Sequence, residues 1–141
     1  MCIFAAEDIK EISANGKVHF YKLVKNGTCM FDDFCALIQE NSQEQKNILT
    51  IFTYMDYIAI NDGILPATKL NSIKKGNKVV GYEFKHKDMR VYFIKAYPNA
   101  YIVLGGYKKQ QKKDIAKFQA IAEEAGNFIK EHVLSKQKEE L

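Results

Sequence analysis

The chain has 141 residues, 47% of them hydrophobic, a length that fits one domain with enough apolar side chain to close a core. A net charge of +4 is too mild to argue for nucleic acid by itself, so the distribution of charge must carry any such argument. No window approaches the roughly 18 apolar residues of a spanning helix, and the opening MCIFAAEDIKEIS has too short an apolar run for an export signal, which argues against membrane insertion and secretion.

Residues 1–16 are an N-terminal extension that reads equally as a short amphipathic helix or a strand, closed by the Ala14-Asn15-Gly16 turn. KVHFYKLV, residues 17–24, mixes β-branched and aromatic residues and ends at Asn26-Gly27, which predicts a first strand and a turn. Phe31, Phe34, Cys35, Leu37 and Ile38 recur at helical spacing behind Asp32-Asp33, so a helix is expected to about Asn41. Ser42 with Gln45 three residues later resembles a capping box. Behind it, Ile48, Ile51, Phe52, Met55, Ile58 and Ala59 mark one face of a second helix that Asp62-Gly63 stops.

A Pro66 loop then leads past Leu70 and Ile73 to the Lys74-Lys75-Gly76-Asn77 turn. Three antiparallel strands are expected next. In the first, Val79, Gly81, Glu83 and Lys85 share one face and Val80, Tyr82 and Phe84 the other. After His86-Lys87-Asp88, Arg90, Tyr92 and Ile94 lie on one face of the second strand, and Pro98-Asn99 turns into the third, Tyr101 to Tyr107. From Lys112 the spacing of Ile115, Phe118, Ile121, Ala125, Phe128, Ile129 and Val133 predicts one long helix that frays in a charged tail at 136–141. The expected fold is α+β: an antiparallel β-sheet carrying two helices from the N-terminal half and a long C-terminal helix, within a domain of residues 17–135.

Lysines crowd between Lys85 and Lys113, where Asp88 is the one acidic residue, and that stretch holds Arg90, the single arginine of the chain. A planar guanidinium clamps phosphate in a way that an ammonium does not, which points to RNA or another phosphate-rich ligand. The three cysteines, Cys2, Cys29 and Cys35, cannot all pair and show no zinc spacing. They read as reduced thiols of a cytoplasmic protein with no metal or cofactor.

The Lys-Gly turn before YEFK, the RVYF strand and LGGYKKQQKKDIAKFQAIAEEA together resemble the RelE/ParE superfamily of type II toxin–antitoxin toxins, nearest its HigB-like, phage-derived branch. The likeness covers about residues 17–130. It implies a metal-independent mRNA endoribonuclease, acting on the ribosome by attack of a ribose 2′-hydroxyl on the adjacent phosphorus. It also implies partners: mRNA, the ribosome and a cognate antitoxin of the helix-turn-helix type. The chain departs from the branch in carrying Lys85 where relatives often have arginine, and in lacking a proline after the lysine cluster.

Such a reaction needs a proton acceptor and cations around the pentacoordinate phosphorus. Arg90, Lys85, Tyr107 and Lys108 are the candidates for catalysis. Arg90 would clamp the scissile phosphate, its alternative being an ion pair with Glu83 across the strands. Lys85 is either a second clamp or a solvated residue at a hairpin tip. Tyr107 stacks on a base or donates a proton, unless it serves only packing. Crowding among cations would lower the pKa of Lys108 or Lys109 from the ordinary value of about 10.4 toward that of a base. Lys109, Lys112, Lys113, Lys74 and Lys75 are the expected contacts to the RNA backbone, against simple solvation. His86 is a possible acid at an exposed hairpin. The competing functions are a non-catalytic binding module, either a ParE-like topoisomerase inhibitor or a degenerate toxin that only binds its antitoxin, and an RNA-binding protein without toxicity.

Overall fold

The computed structural model describes residues 2–12 and 16–139. Within them the chain is α+β, a six-stranded and mostly antiparallel sheet with four helices. The strands are β1 (Phe4–Asp8), β2 (His19–Lys25), β3 (Leu70–Lys75), β4 (Lys78–His86), β5 (Met89–Ala96) and β6 (Asn99–Tyr107), in the spatial order β1-β2-β6-β5-β4-β3. Every neighbouring pair is antiparallel except β2 and β6, which run parallel with His19 opposite Asn99.

The segment before Gly16 supplies β1, which pairs along β2 from Phe4 opposite Lys25 to Asp8 opposite Tyr21, so the extension is part of the sheet. The Asn26-Gly27 turn holds it there. Asn26 takes φ 51° and Gly27 φ 80°, and the Asn26 side chain and backbone N–H both bond the backbone of Ile3, at 2.8 and 2.7 Å. The turn at Ala14-Asn15 lies outside the described residues.

Helix α1 (Met30–Ala36) has Asp32 and Asp33 in its first turn, as expected, but stops short of Asn41. Leu37 is 83% exposed, and Asn41 sits in the left-handed region at φ 61°, so the apolar stripe runs out before the polar signal does. Helix α2 (Gln43–Asn61) starts where the capping pattern places it. Ser42 Oγ accepts from the Gln45 N–H at 3.1 Å, and the Gln45 side chain accepts in return from the Asn41 N–H at 2.7 Å. Asp62, left-handed at φ 47°, ends it.

Strand β3 falls where a loop and turn were expected. LNSIKK fully buries only Ile73, with Leu70 half-buried against the opposite cluster, so the edge strand shows no alternation to read. The turn after β5 is Tyr97-Pro98, one residue earlier than Pro98-Asn99. The expected long C-terminal helix is two, α3 (Gln111–Glu124) and α4 (Gly126–Glu139), parted at Ala125 before a glycine, the poorest helix former after proline. Helix α4 runs through 136–139, within the stretch expected to fray.

The sheet is sandwiched. Phe20, Phe84, Val91, Phe93, Ala100 and Ile102 pack toward α1 and α2, against Phe31, Ile48, Ile51, Met55 and Ile58. Tyr92, Tyr101, Val103 and Leu104 pack on the other side against Phe118, Ile121, Ala125 and Ile129 of α3 and α4. Leu104 joins Val103 on the same side because the β5–β6 register slips between Tyr92 and Phe93, inserting one extra residue in β6.

Candidate nucleic-acid interface

Strand direction gathers the candidate residues at one end of the sheet. Lys85 of β4 pairs with Arg90 of β5, and Arg90 with Gly106 of β6. One step outward, His86 pairs with Met89 and Met89 with Tyr107. The Lys87-Asp88 turn closes this end, with Lys87 left-handed at φ 55°. The Lys108 N–H donates to the Asp88 carbonyl at 2.6 Å and fastens the following 3-10 turn (Lys108–Gln110) to it. Lys108, Lys109, Lys112 and Lys113 are all exposed along that turn and the start of α3. Only Asp114 offsets them in the first helical turn, where cations oppose the helix dipole.

The paired glycines Gly105 and Gly106 have a packing reason. A Cβ on Gly105 would meet the Phe34 ring of α1 at 2.5 Å, and one on Gly106 would collide with the Asp114 carboxylate of α3. The last strand is therefore pressed from both sides, and the lysines that follow it emerge at the rim.

The four candidates for catalysis divide between the faces. Tyr107 points to the α1 side, its ring centroid 5.5 Å from that of Phe34, while Arg90 points beneath α3. Arg90 is 7% exposed, and its Nη1 donates to the carbonyls of Lys87 and Met89 at 2.8 and 2.9 Å. Its expected alternative, an ion pair with Glu83, does not form either. The Glu83 carboxylate, 3% exposed, accepts instead from Gln111 Nε2 at 2.7 Å. Arg90 Nε and Asp114 Oδ2 are buried without a hydrogen-bond partner, near the buried Tyr92 ring. Burial, with the Glu83 and Asp114 charges, pushes the Tyr92 phenol up, and burial also raises the Asp114 carboxyl.

Lys85 lies on the Arg90 side and is half-buried. Its Nζ stands 2.8 Å from the Asn71 amide, whose oxygen faces it in the orientation that the surrounding carbonyls dictate. Lys74 and Lys75 are not brought to this end. Lys75 pairs with Glu123 at 3.3 Å near the C-terminal end of α3, about 16 Å along the helix from Lys112. There it lines a separate hollow of about 630 Å³ together with Lys78, Tyr82, Lys95 and Gln119.

At the rim, Tyr107, Lys109, Asp88 and Glu44 line a cleft of about 440 Å³ closed by Leu37, Ile38 and Gln39. Burial, with the Glu44 and Asp88 charges adding, raises the Tyr107 phenol, so the group stays protonated at neutral pH and acts as a donor. Beside the row ending in Tyr107 lie residues that the pattern of the sequence left aside. The Tyr54 hydroxyl of α2 is 3.3 Å from His86 Nδ1, and Lys69 places its ammonium 5.3 Å from the centroid of the Tyr54 ring. Lys69 stands just before the unexpected strand β3, which left it no element to belong to. No thiol stands ready as a nucleophile here: burial, with Asp32 adding, pushes Cys35 up to about 12.

Among the described residues, no group of three or more histidine, cysteine and carboxylate side chains is arranged to hold a metal ion, and no helix is long and apolar enough to cross a membrane. Site and fold together define an α+β protein with a cationic strand end. Comparison of the chain with family profiles, with curated proteins and with solved structures finds no match in any of the three.

Proposed function

We propose that this protein is the toxin of a type II toxin–antitoxin pair, an mRNA endoribonuclease that works in the cytoplasm without a metal and is silenced by a cognate antitoxin. The observation that carries the reading is the basic rim: Lys108, Lys109, Lys112 and Lys113 exposed on one short segment that adjoins the Tyr107 cleft. Lysines so placed receive successive phosphates of a single strand, and Tyr107 offers a base a ring to stack on or a proton to a leaving oxygen. Arg90 contributes by holding the Lys87-Asp88 turn rather than by touching RNA. Lys74 and Lys75 fall outside the interface.

The test is expression of the full chain in cells and addition of the purified protein to translating ribosomes with a defined mRNA. Wild type is expected to arrest translation and cut the message. Lys108→Ala with Lys109→Ala is expected to abolish both effects, and Lys74→Ala with Lys75→Ala to preserve them. Intact mRNA after incubation with a folded wild-type protein rejects the enzyme. The burial of Arg90 favours one second reading, a module that binds RNA or antitoxin without cutting. A salt-sensitive gel shift with no cleavage products identifies it, whereas inhibition of DNA supercoiling with intact RNA identifies the topoisomerase-directed form.

A further inference from the structure

A hydroxyl–imidazole pair stands at the same end of the sheet, apart from the lysines on which the proposed function rests. Tyr54 and His86 meet edge to face, with ring centroids 6.0 Å apart at 80°, and the Tyr54 hydroxyl lies 3.3 Å from His86 Nδ1. Two cations flank the pair: Lys69, over the Tyr54 ring, and Lys87, exposed in the adjoining turn. The register sets His86, Met89 and Tyr107 in one row on the face that carries α1 and α2. His86 is therefore about 10 Å, two strand spacings, from Tyr107.

The other histidines are placed differently. His132 is bonded to the Tyr101 hydroxyl at 2.7 Å under α4, on the opposite face, and His19 opens β2 at the far end of the sheet, opposite Asn99.

We propose that His86 is the general base of the RNA cleavage, with Lys69 and Lys87 holding the scissile phosphate and Tyr54 orienting the ring; the proposal rests on the endoribonuclease reading above. In the tautomer in which Nδ1–H donates to the Tyr54 oxygen, Nε2 carries the free electron pair and takes the proton of the ribose 2′-hydroxyl. The O2′–P bond forms and the P–O5′ bond breaks. The 5′-oxygen takes a proton from the Tyr107 hydroxyl, which regains one from water as His86 gives its own to solvent. The products are a 2′,3′-cyclic phosphate and a 5′-hydroxyl.

Burial, then the charges of Lys87 and Lys69, hold the imidazole below its ordinary value, which keeps it neutral and able to accept at pH 7. Those two lysines and the Tyr54 phenol are the groups that face it from the turn, the approach to β3 and α2.

The experiment uses the full chain, a ribosome-bound mRNA for cleavage and a fluorescein-labelled RNA oligonucleotide for binding. His86→Gln is expected to cut at least about 100-fold more slowly than wild type while binding within about twofold, and His86→Ala to regain activity with added imidazole. Tyr54→Phe, a change at a positioning residue, is expected to lower kcat several-fold at constant KM. Cleavage by His86→Gln at the wild-type rate overturns the assignment of the base and leaves the endoribonuclease standing. A slow His86→Ala protein with a lowered Tm and no response to imidazole overturns it as well, by showing a structural role. Absence of cleavage by wild type removes both proposals together.

Discussion

Arg90 shows how far a residue's chemistry depends on where its strand is set. A lone arginine among twenty lysines invites a phosphate-clamp role, yet its guanidinium is folded under α3 and bonds the carbonyls of Lys87 and Met89. Removing it leaves the carbonyls of Lys87 and Met89 without that donor, so Arg90→Ala is expected to cost about 1–3 kcal/mol in urea unfolding. Lys108→Ala, at the exposed rim, is expected to leave the midpoint unchanged. If the two variants unfold alike, Arg90 does not brace the Lys87-Asp88 turn. The alternation of RVYF does give the facing of Arg90. What it cannot give is the depth of burial, because that depends on α3 lying across the strand, through contacts such as Gln111 to Glu83.

At the scale of elements, the docking of α4 turns on His132. Asn99 Nδ2 donates to the Tyr101 hydroxyl at 2.9 Å, and that hydroxyl is bonded to His132, which packs between Tyr21 and Phe128. Burial, then Lys136, lowers the His132 pKa in the folded chain. Below the ordinary value of about 6.5 the unfolded chain therefore binds more protons, and stability falls as pH drops from there toward the folded value. Urea midpoints measured from pH 7.5 to 5 are expected to decline in wild type and to decline less in His132→Gln. His86, shifted in the same direction, retains the remainder of the slope. Parallel profiles for the two proteins would dissociate α4 from this dependence. Legibility at this scale followed the strength of each pattern. Helix α2, with its Ser42 cap and apolar stripe, could be read almost to the residue. Strand β3 could not, with Ile73 and Leu70 packed toward opposite clusters and out of alternation, and neither could the break at Ala125, because Ala125, Phe128 and Ile129 keep helical spacing across it.

For the whole molecule, the informative quantity is where its charge is exposed. The mild net charge conceals a rim of lysines at one end of the sheet, while Lys22, Lys25, Lys75 and Lys95 are tied up in ion pairs elsewhere. Binding of single-stranded RNA is accordingly expected to weaken with salt by about 0.7 log units per log unit of salt for each phosphate met. Neutralising Lys108, Lys109, Lys112 and Lys113 together should flatten that slope by the share of up to four contacts. A plot of affinity against salt for the quadruple variant, matched to wild type, decides whether those ammoniums meet phosphate. An unaltered slope would relocate the interface.

The side-by-side run of β2 and β6 has a consequence for biosynthesis. His19 finds its partner in Asn99, eighty positions later, so the inner border of β2 stays vacant until the distal part of the chain has been made. A nascent polypeptide halted before that point holds α1, α2, the β1–β2 hairpin and the β3-β4-β5 meander, with no strand to join the two. The lysine segment, later still in the order of synthesis, is laid down only once β6 can seat it.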